Sequence, residues 1–314
     1  MFTIKTIGVC GAGTMGSGIA QIAAQSGFAT VLFDLNEDVL QKSKSFIQKN
    51  LQSLVEKQKI NIEEKEEIFN RIHFTSNINN CMADLIVEAI IENKNAKVDL
   101  FKKLQSINKP ETLLATNTSS ISITSIAEEL NTFRHVEQTE TSPENKPVEI
   151  EEISRQEPRN DSIVNRFAGM HFFNPAQIMK LVEIITTDKT NKQVVEALIT
   201  VCKQMNKTAV VCKDAPGFIV NRVARHYYLE AMKLVELNLA TIENIDAIME
   251  ATGFKMGPFK LMDLIGMDIN YSVSNIVWND LGKPERLKPS LIQKQKVKAN
   301  ELGRKTDKGF YNYS

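Results

Sequence analysis

The chain has 314 residues, enough for about two domains with sizeable cores. Its composition, 42% apolar and 24% charged, is that of an ordinary globular protein and excludes a disordered or fibrous class. Lys plus Arg and Asp plus Glu both total 38, so there is no basic footprint and no nucleic-acid partner is expected. Cys10, Cys81, Cys202 and Cys212 are scattered and form no CxxC, no Cys/His metal spacing and no disulfide framework. They read as reduced thiols of a cytosolic protein, with no metal site. The opening "MFTIKTIGVCGAG" shows no export or organelle signal, and no apolar run nears the ~18 residues of a membrane span. A cytoplasmic protein without a membrane partner is expected.

Along the chain, "TIKTIGVC" reads as a strand and "TMGSGIAQIAAQSG" as a helix with Met15, Ile19, Ile22 and Ala23 on one face, closed by Gly27. "ATVLFD" is a second strand. A long helical stretch follows, with Val39/Leu40, Phe46/Ile47 and Leu54/Val55 recurring along it. "DLIVEAI" and "TLLATN" are buried strands on either side of a helix around residues 96–107. Residues 136–164 break this rhythm: eight acids stand against three bases, punctuated by Pro143, Pro147 and Pro158 and without an aromatic residue. Such a segment buries little and reads as a surface insertion. "RFAGMHFF" and "MKLVEII" resume the strands. From Lys189 the pattern is mostly helical, with one strand-like interruption at "TAVVC" and a long apolar-faced helix in "PGFIVNRVARHYYLEAMKLVELN". Strands alternating with helices predict parallel βαβ units. The expected architecture is α/β: a doubly wound Rossmann-type domain over 1–188, carrying the acidic insertion 136–164, then a smaller all-α domain over 189–314.

The first βα junction, "GVCGAGTMGSGIA", holds Gly11-x-Gly13-x-x-Gly16 between a strand and a helix, the context a dinucleotide fingerprint requires. Gly11 permits the tight turn, Gly13 lets the backbone approach a pyrophosphate, and Gly16 lets helix pack on strand. Thr14 and Met15, opening the helix, belong to the same anion-binding turn. Asp34 ends the second strand at the offset where an acid can accept both ribose hydroxyls and repel a 2′-phosphate. The following "LNED" adds acids and no Arg, so NAD is favoured over NADP.

"TNTSSISI" and "AGMHFFNP" both fall at ends of expected parallel strands, where such sheets bind ligands. Oxidising an alcohol by hydride transfer needs a base for the hydroxyl proton, and an ordinary histidine titrates at about 6.5, which suits that work. His171 is the candidate. Glu183, an acid inside the apolar run "KLVEII", needs a partner and could orient that imidazole. Plainer readings stand beside these. His171 and Glu183 could be a structural buried pair, Ser119 and Ser120 could cap the helix that begins near Ile123, and Asn221, Lys57 and Lys97 could be ordinary helix residues.

Six segments in order, "GAGTMGSGIAQIAAQSG", "VEAIIEN", "ATNTSSISIT", "FAGMHFFNPAQIMKLVEII", "KDAPGFIVNR" and "MGPFKLMDLIGMD", resemble the short-chain L-3-hydroxyacyl-CoA dehydrogenase family, which includes bacterial 3-hydroxybutyryl-CoA dehydrogenases. The likeness runs from Ile4 to Tyr313 and implies reversible oxidation of a 3-hydroxyacyl-CoA with NAD as cofactor. It places His171 on the catalytic base, Glu183 on its carboxylate partner, and Ser119 and Asn221 on residues that hold the reacting oxygen. Glu92, Lys97, Asn117, Asn174 and Lys305 fall on positions used around NAD, and Lys57 on a coenzyme A phosphate contact, where a companion serine is replaced by Asn50. A homodimer through the second domain is implied as well. The resemblance also implies a short crossing where this chain has its insertion, so a splice from Arg134 to Asn165 is expected to be tolerated. Two rivals remain for assay: a β-hydroxy acid dehydrogenase acting on a free acid, and a non-catalytic NAD-binding relative.

Overall fold

The computed structural model describes residues 2–140 and 162–313. The chain divides into two compact units, Met1–Asp214 and Ala215–Ser314. In the first, β1 (Thr6–Cys10) runs through the glycine turn into α1 (Thr14–Gln25), then β2 (Ala29–Phe33), α2 (Glu37–Glu56), α3 (Ile62–Asn70), β3 (Ile72–Thr75), β4 (Leu85–Glu88), α4 (Lys94–Ile107) and β5 (Leu113–Thr116). Next come α5 (Ile123–Glu140), a 3-10 turn (Ile163–Arg166), β6 (Phe167–Phe172), β7 (Leu181–Thr186), α6 (Lys192–Gln204) and β8 (Thr208–Lys213).

Among the described residues, eight strands form one sheet in the order β3-β2-β1-β4-β5-β6-β7-β8. All neighbours pair in parallel except β6 and β7, whose antiparallel pairing reverses the last two strands. β4, β5 and β6 are buried at every position, as central strands covered on both faces must be. On one face their side chains, among them Leu85, Val87, Leu113, Ala115 and Met170, make one core with Ile19, Ala20 and Ala23 of α1. The strand order reverses at β1, which has β2 on one side and β4 on the other. The register puts Phe33, Cys10, Glu88, Thr116 and Gly169 in a single row across five strands. Every segment leaving those carboxyl ends therefore starts from one edge, where folds of this kind bind ligands.

The second unit consists of α7 (Val220–Glu236), α8 (Ile242–Ala251), α9 (Pro258–Ile265), α10 (Met267–Asp280) and α11 (Leu291–Lys298). Met232, Phe259, Met262, Met267 and Val277 are its centre. Asp246 of α8 is buried because it caps α9, accepting the backbone N–H groups of Phe259 and Lys260. No helix among the described residues is long and apolar enough to cross a membrane.

The α/β class with a helical second unit is as expected, but four local readings change. The helical stretch after Asp34 is α2, but a further helix follows that was not expected: Gln58 takes a positive φ, and Asn61 opens α3 with a capping box to Glu64. β3 was not expected from the sequence; it is four residues long and adds to the edge of the sheet. Ser122, not Ser119 or Ser120, accepts the Ser125 N–H at the start of α5. The division between units lies at Asp214/Ala215, not at 188/189, because α6 packs on the sheet and β8 pairs with β7 in parallel.

The expected insertion 136–164 is also cut back at both ends. α5 continues to Glu140, so Val136–Glu140 are helix, while Ile163 and Val164 are buried in the 3-10 turn that packs on α5. The residues between, with most of the acids, lie outside the described residues. A splice from Arg134 to Asn165 would thus remove two buried aliphatic side chains as well as part of a helix. Burying one such side chain is worth about 1.5–3 kcal/mol. A deletion rejoined at Asn165 should melt roughly 5 °C or more below one rejoined at Ser162 with α5 intact. Equal melting temperatures by calorimetry would show that Ile163 and Val164 contribute no packing.

Candidate active site

The register of β6 and β7 builds the centre of the site. His171 lies directly across from Glu183 in the antiparallel pair, so the two side chains leave the same face of the sheet. Both are buried, and His171 Nδ1 lies 2.8 Å from Glu183 Oε2. A carboxylate only accepts, so this contact puts the ring proton on Nδ1 and leaves Nε2 with a bare lone pair. Ser119 Oγ lies 3.1 Å from that Nε2 and must donate to it. The result is a chain of groups, Glu183–His171–Ser119, ending at the sheet's carboxyl edge. Phe173 stands against the imidazole at 4.6 Å between ring centres and forms an apolar wall.

Ser119 owes its place to the turn after β5. Glu92 Oε1 accepts from the Ser119 N–H at 3.0 Å, the Ser120 N–H at 3.1 Å, the Ser120 hydroxyl at 2.8 Å and the Thr118 hydroxyl at 2.5 Å. Partial burial alone would raise this carboxyl, but Lys97 and these donors hold it below the usual carboxylate range. Lys97 is itself buried, with Nζ 2.6 Å from Glu88 and 3.3 Å from Glu92. Glu88 is fully buried, and desolvation pushes its carboxyl up, against the pull of Lys97 and the Thr116 hydroxyl. Asn117 accepts the Phe172 N–H at 2.8 Å and ties the β5 turn to the end of β6. Of the residues expected around the cofactor, Glu92, Lys97 and Asn117 are therefore all engaged inside the protein as well.

At the other end of the edge, the glycine turn fits a dinucleotide. Gly11 has φ near +102°, and a Cβ there would press on the backbone of Ala89. Gly13 is the reverse: a Cβ would meet nothing within 4 Å, so the space over this turn is open. α1 begins at Thr14 with no side-chain cap and no acid in its first turn. The first N–H groups of a helix have no helical partners, so those of Thr14, Met15 and Gly16 are presented to an anion there. Asp34 is fixed by the N–H groups of Ala12 at 2.8 Å and Asn36 at 2.9 Å. Beside it is a cleft of about 340 Å³ lined by Leu35, Ile78, Ile90 and Ile91 among others. Leu35 and Ile91 are 81% and 71% exposed, which marks an apolar slot suited to a flat ring. Nothing in the local sequence pattern marks these four residues; only their place next to Asp34 signals them.

Asn174 is exposed and precedes Pro175 in a cis peptide. Lys57 is exposed just past α2, and Asn50 donates to Gln21 at 3.1 Å. In the second unit, Asn221 sits in the first turn of α7 with its carbonyl accepting from Arg225 Nε at 3.0 Å. Lys305, in that unit too, is paired with Asp268 at 2.5 Å.

Residues 6–141 and 145–215 match the sequence model described as 3-hydroxyacyl-CoA dehydrogenase, NAD binding domain, and residues 217–313 match that described as 3-hydroxyacyl-CoA dehydrogenase, C-terminal domain. The chain is 39% identical over 315 residues to the 3-hydroxyadipyl-CoA dehydrogenase of Escherichia coli, covering all of this chain and 60% of that protein. It is 38% identical over 308 residues to a probable 3-hydroxybutyryl-CoA dehydrogenase of Deinococcus radiodurans, covering 98% of this chain and 99% of the relative. Among solved structures, the (S)-3-hydroxybutyryl-CoA dehydrogenase of Ralstonia eutropha superposes with a TM-score of 0.85 at 32% identity, over 99% of this chain and 100% of that one.

Proposed function

The chain belongs to the 3-hydroxyacyl-CoA dehydrogenase family and carries its NAD-binding domain, and from that premise we propose that it interconverts an L-3-hydroxyacyl-CoA, 3-hydroxybutyryl-CoA first of all, and the corresponding 3-ketoacyl-CoA. The observation that carries this is the placement of His171 between Glu183 Oε2, 2.8 Å from its Nδ1, and the Ser119 hydroxyl, 3.1 Å from its Nε2. In the oxidation direction the substrate hydroxyl takes the place of Ser119 as donor to Nε2, and the proton passes to that nitrogen. Glu183 then faces an imidazolium, which its negative charge stabilises, while Nδ1 keeps its own proton. Ser119 turns its hydroxyl to the same substrate oxygen as charge develops on it, the part an oxyanion donor plays. Bound NAD supplies the hydride acceptor for the hydrogen leaving C3. The α1 turn would hold the pyrophosphate, Asp34 the adenosine ribose, and the Leu35–Ile91 slot the adenine ring. Asn221 and Lys57 keep the roles the family likeness implies, on the reacting oxygen and on a coenzyme A phosphate.

The test is reduction of acetoacetyl-CoA by NADH, read at the NADH absorbance beside free acetoacetate. Turnover of the thioester alone is expected; turnover of the free acid alone would transfer the chain to the β-hydroxy acid dehydrogenases, and none of either would leave a binding protein. General-base assistance is typically worth about 10²–10⁴ in rate, so His171→Ala should lose turnover on that scale while still binding NADH. An undiminished kcat would remove His171 from the reaction.

We also infer a homodimer through the second unit. That unit shows Leu237, Leu239, Ile248, Phe254 and Leu291 each more than half exposed, much apolar surface for so small a body. Sedimentation at micromolar concentration should give the mass of two chains, and a monomer alone would contradict it.

A further inference from the structure

Beneath the Ser119 turn lies a group that none of the roles above uses. Glu88 ends β4 in the same row as Thr116 and is completely buried. One carboxylate oxygen accepts from Lys97 Nζ at 2.6 Å and from the Ile90 N–H at 2.7 Å; the other accepts from the Thr116 hydroxyl at 2.6 Å. Two routes lead from it to the same turn. Thr116 Oγ1 in turn accepts the Thr118 N–H at 3.3 Å. Lys97, held by Glu88, sits 3.3 Å from the second oxygen of Glu92, whose first oxygen gathers Thr118, Ser119 and Ser120.

A buried ion pair is weak support for stability, because the cost of desolvating both charges offsets their attraction. What this pair does with more specificity is geometric. The Glu92 side chain is 38% exposed and long enough to take other rotamers, whereas Lys97 is 1% exposed and pulls it to one. The anchor for that pull is Glu88. We propose that Glu88 is a positioning residue for the reaction: from under the crevice it sets, through Thr116 and through Lys97 and Glu92, the turn that aims the Ser119 hydroxyl at His171. This rests on the dehydrogenase reading for its kinetic effect, but not for the geometry.

The test uses the full chain and Glu88→Gln, which keeps the shape and removes the charge that anchors Lys97. Since groups acting as a unit are non-additive, kcat should fall about tenfold with KM for NADH within roughly threefold, yet the same change in a Ser119→Ala background should cost less than about twofold. A loss of equal size in both backgrounds, or none in either, would overturn the proposal. The second readout needs no turnover. In the ¹H–¹³C spectrum of the imidazoles, four in this chain, the His171 signal, assigned by its loss in His171→Gln, should shift in Glu88→Gln. An unmoved signal would equally overturn it. Should the wild-type protein turn over no acyl-CoA, the dehydrogenase reading fails while this signal still decides the positioning. Should Glu88→Gln not fold, Thr116→Val interrupts the other route and is expected to move the same resonance.

Discussion

The site depends on one cross-strand register. β6 enters the sheet parallel to β5, and β7 then returns antiparallel, so that His171 and Glu183 meet face to face in the sheet. A slip of one residue would send the two side chains to opposite faces. Both strands are buried, and this fixes the register firmly: Met170, Val182 and Ile184 have no other place to go. The His171–Glu183 pair thus takes its geometry from core packing. A carboxylate and an imidazole in the interior would each be costly alone, and hydrogen bonding to each other is what makes the arrangement tolerable.

The same economy runs along the carboxyl edge. At its cofactor end the structure leaves groups open: an uncapped helix start, an empty space above Gly13 and an apolar slot beside Asp34. At its chemical end it does the opposite. Glu88, Lys97, Glu92, Thr116, Thr118, Ser120 and Asn117 are engaged with one another or with the backbone. Binding a flexible dinucleotide calls for presented donors, whereas proton transfer calls for atoms held to within a fraction of an ångström. Helix ends suit the first need, and a closed polar network suits the second.

Much of this was legible in the sequence, for identifiable reasons. The glycine turn announces itself because glycine is required by backbone geometry at fixed spacings, and Asp34 follows from strand length. His171 and Glu183 stood out as polar residues in apolar runs, although their pairing needed the register to become a fact. Other parts were hidden because they depend on long-range pairing. β8 looked like an interruption in a helical region, and only its partner β7 makes it part of the sheet. Lys97 stood out only through the family likeness, with a solvated helix lysine as the plainer reading, and nothing local shows that Glu88 lies beneath it. Ser122 rather than Ser119 caps α5, which frees Ser119 for His171, and one residue type repeated in "NTSSISIT" could not reveal that. The boundary at 188 failed for the same reason as β8.

The proposed reaction requires that Glu183 hold the proton of His171 on Nδ1 and so keep Nε2 bare for the substrate. ¹⁵N spectra of the histidine-labelled protein, taken above the pH where the imidazole is charged, read the tautomer directly. His171 should show a protonated Nδ1 and an unprotonated Nε2, and Glu183→Gln should erase that preference together with turnover. A wild-type His171 carrying its proton on Nε2 would contradict the assignment of that nitrogen as the base.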